Sequence, residues 1–302
     1  MKLILISDLH CRPKAPVNRK DDYVEAWFRK LEYIIDYAEA NDGVILCAGD
    51  LLDSARPPIW LLNKLITYLR GAETPMRVIA GNHDQVNHNP ELIHESALWT
   101  LDRAGAIRLI TWRRDTLHDS ETGEVVYLTC LPFGEDLPED YTRKPGFNVF
   151  MCHIPVYESS VPFYMEGHAL TVDQLEARYP GYDLYFAGDI HIPAVRSKTI
   201  VSGSLMRSTI AQKDYKPRFY EFDTLTGETT PHFLPNEEDV WKEQVDPLED
   251  ESYRAELKEL SDIMLARTEK PNFPRCIQQL SEGKPHLQTR LRGIIDDYLE
   301  RT

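Results

Sequence analysis

Paired cysteines, a surplus of basic residues and any long apolar run are missing from this 302-residue chain. Its 34 Lys and Arg face 49 Asp and Glu, for a formal net charge of −15. Such a chain is a poor stand-alone binder of nucleic acid, because phosphate contacts need clustered cations. Bound divalent ions would reverse that sign locally. The five cysteines, at 11, 47, 130, 152 and 276, are odd in number and form no Cys-x-x-Cys pair. A disulfide framework is therefore not expected, and reduced thiols in a cytoplasmic protein are. No apolar stretch is long enough to span a bilayer, so no membrane association is expected. Met1-Lys2 leads straight into a strand-like run, so no secretory leader is expected either. Internal repeats and low-complexity segments are absent from the sequence.

What is present is an ordinary globular composition, 42% hydrophobic and 27% charged, sufficient for a large core. The informative stretch is Cys47-Ala48-Gly49-Asp50-Leu51-Leu52-Asp53. An apolar run meets a glycine and then carboxylates, as when a buried strand delivers Asp50 into a loop at its C-terminal end. Leu3-Ile4-Leu5-Ile6-Ser7 runs likewise into Asp8-Leu9-His10, and Arg77-Val78-Ile79-Ala80 into Gly81-Asn82-His83-Asp84. Open α/β sheets place ligands at such strand ends.

Between these strands the apolar spacing predicts helices over 21–41 and 57–69, the second opened by Pro57-Pro58. The β-α-β-α-β order argues for parallel strands with right-handed crossovers. A helix is expected over 91–103, then strands at 107–112, 125–131 and 147–152, with a hairpin turn at 118–123. Thr171 reads as a helix cap. Strands at 183–187, 199–202, 218–222 and 229–233 are expected to complete a second sheet. The expected fold class is α/β: a four-layer αββα sandwich of two facing mixed sheets flanked by helices. Its domain is expected to cover residues 1–235. Residues 236–302 are expected to form an acidic connector and short C-terminal helices near 253–267 and 287–299, a partner-docking region or a self-packed tail.

The strand-end groups are Asp8, His10, Asp50, Asn82, His153, Asp189 and His191. Oxygen and imidazole donors in this mixture suit Mn²⁺, Fe²⁺ or Zn²⁺ better than a sulfur site would. Seven groups are too many for one ion and suit two ions sharing a carboxylate. Two-metal sites are built for phosphoester hydrolysis.

These ordered motifs, Asp8-x-His10, Gly49-Asp50-x-x-Asp53, Gly81-Asn82-His83-Asp84, a lone His153 and Gly188-Asp189-x-His191, resemble the calcineurin-like metallophosphoesterase superfamily. The resemblance implies that Asp8, His10, Asp50 and His191 hold one divalent metal ion. Asp50, Asn82, His153 and Asp189 would hold a second, with Asp50 bridging. It further implies that His83, outside the metal shell, protonates the leaving oxygen or stabilises the transition state, and that Asp84 and Asp53 orient histidines from outside that shell. One position departs from the pattern: Asp189-x-His191 stands where the family usually has His-x-His. Either the aspartate is a ligand that favours a harder metal such as Mn²⁺, or the second site is weakened.

Residues 200–207 and 216–222 are similar to the stretch after the last metal motif in the Mre11/SbcD-type DNA nuclease subunits. That branch implies a DNA exonuclease and endonuclease working with a Rad50/SbcC-like ATPase partner, and homodimerisation. Two alternatives stay open. One is a phosphodiesterase or phosphatase of the same superfamily acting on small substrates. The other is a catalytically weak scaffold for an ATPase. Arg207 reads either as a phosphate contact or as an ordinary surface ion pair.

Overall fold

The computed structural model describes residues 1–242, apart from 112–113, 121, 138–142 and 236–239, and for 164 and 211 it describes the backbone only. The expected C-terminal helices, Cys276 and most of the acidic connector lie outside the described residues.

In chain order the elements are β1 (Lys2–Ile6), α1 (Tyr23–Ala40), β2 (Gly43–Cys47), α2 (Ile59–Leu69), β3 (Arg77–Val78), α3 (Ala97–Arg103), β4 (Arg108–Leu109), β5 (Arg114–His118), β6 (Val125–Leu131), β7 (Phe147–His153), β8 (Val156–Tyr157), β9 (Leu170–Thr171), α4 (Val172–Arg178), β10 (Leu184–Gly188), β11 (Ala194–Arg196), β12 (Thr199–Val201), β13 (Arg218–Asp223) and β14 (Thr229–Phe233). One six-stranded sheet runs β14-β13-β1-β2-β3-β4, the other β11-β12-β10-β7-β6-β5, and β8 pairs with β9. In the first sheet β1 to β4 are parallel, while β13 and β14 join antiparallel. In the second, β12, β10, β7 and β6 are parallel between the antiparallel edges β11 and β5.

Alternation along the strands builds the layers. Successive side chains of a strand point to opposite faces. In β1, Ile4 and Ile6 pack with Trp27, Leu31 and Ile34 of α1, whereas Leu3 and Leu5 join the core shared with Val149, Met151 and Phe186. In β7, Val149 and Met151 face that shared core, while Phe150 and Cys152 pack with Val172 and Leu175 of α4. Strands buried on both faces read as continuous apolar runs, as β1 and β7 do. The order is therefore helices, sheet, sheet, helix: the four-layer αββα sandwich expected from the sequence.

Helix starts follow local chemistry. The Asp22 side chain accepts from the Glu25 amide at the head of α1. Thr171 and Gln174 form a reciprocal capping box on α4.

Four expectations need correction. Residues 91–103 are not one helix: a 3₁₀ segment, Pro90–Glu95, ends at the extended Ser96, whose hydroxyl then caps α3. The strand expected over 107–112 is only β4, and the strand that forms the hairpin with β6 is β5, a polar edge strand. β13 and β14 belong to the first sheet, with Leu3 opposite Phe222. Arg207 is not a surface group: it is buried and donates to the Lys213 carbonyl. Residues 240–242 return to the domain, where Lys20 donates to the Val240 carbonyl and Lys242 to that of Asn18.

Among the described residues no helix is long and apolar enough to cross a membrane. The buried Cys11, Cys47, Cys130 and Cys152 are free thiols.

Candidate metal centre

Register brings the strand ends together. Ile6 lies opposite Cys47, and Cys47 opposite Val78, so β1, β2 and β3 release their chains at one edge of the first sheet. In the second sheet Gly188 lies opposite His153. The two edges meet where the Asp189 amide donates to the Asp8 carboxylate at 3.1 Å.

The backbone bends sharply where the chemistry sits. Asp8, His10, Asp50 and Asp189 all have positive φ (53°, 44°, 52° and 86°), a region that non-glycine residues rarely occupy. Strain of this kind persists where surrounding structure over-determines it, and it collects at functional sites.

His10 Nε2 lies 3.1 Å from His191 Nε2 and 3.7 Å from Asp50 Oδ2. His191 Nε2 is 3.8 Å from Asp8 Oδ1. His153 Nε2 is 3.1 Å from Asn82 Oδ1, 3.5 Å from Asp50 Oδ2 and 3.6 Å from Asp189 Oδ1. All seven expected ligands thus lie in one linked cluster, with Asp50 between the histidines of the two sheets. Three subsets offer ligand atoms within 4.8 Å of one another: Asp8, His10 and His191; Asp8, Asp50 and His153; His10, Asp50 and His83. The last puts His83 within ligand range, although the sequence reading kept it out of the metal shell.

Outer contacts orient the donors. His153 Nδ1 sits 2.7 Å from the Ala48 carbonyl, which can only accept, so this nitrogen carries a proton and Nε2 is the one turned to the cluster. His83 Nδ1 is tied in the same way to the Asp53 carbonyl at 3.1 Å, and its amide donates to Asp50 Oδ1. The Asp53 carboxylate takes two bonds from Arg12 and lies 3.8 Å from His10 Nδ1. Asp84 corrects the expectation that it orients a histidine: its oxygens hold the Leu52 and Gly81 amides. It therefore ties the Asp50 loop to the Asn82 loop.

Glycine is required at two contacts. At Gly49, with φ of +96°, a Cβ would lie 2.3 Å from His153 Nδ1. At Gly81 a Cβ would lie 2.1 Å from Asp50 Oδ1.

The electrostatics fit a cation. Burial pushes Asp8 up, aided by Asp50 and opposed by His191 and His153. Burial, the Asp50 charge added to it, takes Asp84 up to about 7. Burial also takes Asp189 up to about 7, helped by Asp8 and Asp50 and opposed by His153. Asp50 goes the other way, because the His153, His10 and His83 imidazoles outweigh the effect of burial. Burial lowers His10, keeping its imidazole in the neutral form that ligates. His153 is raised, its burial more than offset by Asp50, Asp189 and Asp8. Three buried carboxylates and the half-buried Asp189 crowd one another here, and divalent cations are the partners that satisfy such a donor set.

The sequence reading missed several contributors. Ser7 donates to Asp8 Oδ2 and pairs with Ser202 at 2.8 Å. Arg12 holds Asp53, and the Phe133 ring lies 6.4 Å from that of His153. Phe133 had a legible signal: it follows β6 as Asp50 follows β2, at the end of a parallel strand.

The Calcineurin-like phosphoesterase family model matches residues 1–193. No curated protein matches the sequence. Among solved structures, an archaeal phosphodiesterase shares 12% identity over 78% of this chain and all of its own, with a TM-score of 0.41. The NAD nucleotidase of Haemophilus influenzae shares 12% identity over 86% of this chain and 56% of its own, with a TM-score of 0.43. A 5′-nucleotidase precursor from Thermus thermophilus shares 13% identity over 88% of this chain and 59% of its own, with a TM-score of 0.47.

Proposed function

Because the chain belongs to the calcineurin-like phosphoesterase family, we propose that this metal-dependent phosphoesterase cleaves the phosphodiesters of DNA. In this reading it is a nuclease subunit of the Mre11/SbcD type with a Rad50/SbcC-like ATPase partner. The observation that carries the hydrolytic part is the convergence of Asp8, His10, Asp50, Asn82, His153, Asp189 and His191 at the meeting edges of two sheets.

Asp8, His10, Asp50 and His191 would hold one divalent ion, and Asp50, Asn82, His153 and Asp189 a second, with Mn²⁺ the choice this oxygen-rich set favours. Such a pair supplies positive charge against the phosphate and acidifies water for attack. The chain's own residues do the rest. His83, its Nδ1 tied to the Asp53 carbonyl, presents Nε2 to the leaving oxygen and gives it a proton. Arg12 fixes Asp53 and so fixes the direction of that imidazole. Asp84 holds the loops of Asp50 and Asn82 at one spacing.

The DNA reading draws on residues 200–207, which fold back onto this centre. Leu205 donates to the Asp8 carbonyl, and Ser204 to that of His191. A net charge of −15 suits a subunit that leaves much of the grip on DNA to a partner. The same charge favours the second reading, a small phosphodiester with few phosphates as substrate.

Hydrolysis of linear double-stranded DNA and of bis-p-nitrophenyl phosphate, each with Mn²⁺, separates the two. Cleavage of the DNA is the expected result. Cleavage of the small ester alone, with the ATPase partner present, would overturn the nuclease reading and leave the phosphoesterase standing.

A further inference from the structure

An arc of four rings borders the candidate centre. His83 and His88 have centroids 6.4 Å apart at 87°, His88 and Phe133 are 6.4 Å apart at 67°, and Phe133 and His153 are 6.4 Å apart at 74°. The two ends of the arc belong to the centre already described. The middle pair, His88 and Phe133, supplies none of its candidate ligand groups.

Both middle residues are tied to the Asn82-His83 segment, Phe133 through its backbone and His88 through its ring. Phe133 donates its amide to the Ala80 carbonyl at 3.0 Å, and its own carbonyl accepts from Gln85 Nε2 at 2.9 Å. Ala80 and Gln85 bracket the Asn82-His83 loop, so Phe133 is fixed to the segment that carries two of the site residues. His88 and Asn87 both sit at φ of 54°. His88 Nδ1 donates to the Asn82 carbonyl at 2.9 Å, which ties its ring to the same loop. Despite these ties His88 is exposed and Phe133 is half-buried. Aromatic rings set at 67° and 74° meet edge to face, so they are not stacked on one another.

We infer that His88 and Phe133 form a corner that receives the nucleobase next to the scissile phosphate, making them specificity-determining residues for nucleobase-bearing phosphoesters. Phe133 stands one ring outward from His153. A base joined to its phosphorus through a sugar reaches that distance, whereas a ring esterified directly to the phosphate stays over the centre. Stacking on aromatic and histidine rings tolerates any base, because every base has a π face. The corner therefore selects for a base without reading its identity. The inference rests on the phosphoesterase reading of the same site.

The test compares a short fluorescein-labelled single-stranded oligonucleotide with an abasic one of equal phosphate count, using the full chain and Mn²⁺. Wild type is expected to favour the base-bearing strand by about tenfold or more in kcat/KM, the size that base–aromatic stacking carries. Phe133→Leu, which keeps an apolar group but removes the ring, and His88→Ala, at an exposed position, are each expected to pull that ratio toward one. The effect should lie mainly in KM, and Phe133→Trp should restore it. Equal use of both strands by wild type, or an undiminished preference in both Phe133→Leu and His88→Ala, would overturn the corner. If wild type cleaves neither strand, the nuclease reading fails. Anisotropy titration of the same two strands then decides the corner alone, with equal Kd values refuting it.

Discussion

Gly81 shows how closely the centre is fitted. Its backbone passes so near Asp50 that an added Cβ would lie 2.1 Å from Oδ1 and 2.5 Å from the amide nitrogen. These are atoms of the central carboxylate and its main chain, which cannot swing aside. Gly81→Ala is expected to destabilise the fold by about 1–3 kcal/mol, as overpacking does, and to weaken metal binding through displaced Asp50. Urea unfolding and Mn²⁺ calorimetry check both, and an unchanged Mn²⁺ affinity would show that Asp50 is not central. His83 gives the complementary prediction. If it handles a proton and holds no ion, His83→Ala keeps the metal stoichiometry and loses about 10²–10⁴ in kcat. Its place beside His10 and Asp50 makes this a sharp comparison, since loss of an ion in that variant would make it a ligand. The ligand candidates were legible in the sequence because each follows directly on an apolar strand. Arg12 and Asp84 were harder to place, because their partners at Asp53, Leu52 and Gly81 are set by tertiary structure.

Elements were legible in proportion to their burial. β1, β2, β7 and β10 are apolar runs because both their faces are covered, and their positions could be read directly. β5, Arg-Asp-Thr-Leu-His, carries no such signal, because an exposed antiparallel edge needs only Leu117 inward. The break at Ser96 was hidden because a serine serves a helix interior poorly and a cap well, and only the Trp99 amide it accepts decides between them. Placing β13 beside β1 pairs residues more than two hundred positions apart, which no local pattern encodes. β10 supports a prediction at this scale. Phe186 is fully buried between the sheets, and its strand ends in the Gly188-Asp189 turn. Phe186→Ala is expected to cost about 3–5 kcal/mol of stability. It should also weaken Mn²⁺ binding, because the spacing between the sheets sets the distance from Asp189 to Asp8. A loss of stability with unchanged metal affinity would show that the strand end is positioned by its loops alone.

Across the whole molecule, four buried thiols make stability sensitive to alkali. Burial raises Cys11, Cys47, Cys130 and Cys152 above the ordinary thiol value of 9.0, and it pushes Tyr23 up to about 12. A folded chain that keeps these protons longer than the unfolded chain loses stability as pH rises past the unfolded value. Stability is therefore expected to be complete below about pH 9. Above that it should fall by up to about 1.4 kcal/mol per pH unit for each thiol. Urea midpoints at pH 8 and pH 10.5, measured in chelator, check this, and equal midpoints would contradict it. The central claim is that loops from both sheets share one pair of cations through Asp50. Counting Mn²⁺ per chain after equilibrium dialysis, in wild type and in Asp50→Asn, tests it most directly. The account predicts two ions in wild type and the loss of both in the variant, whereas a wild type that holds fewer than two, or a variant that keeps both, would contradict it.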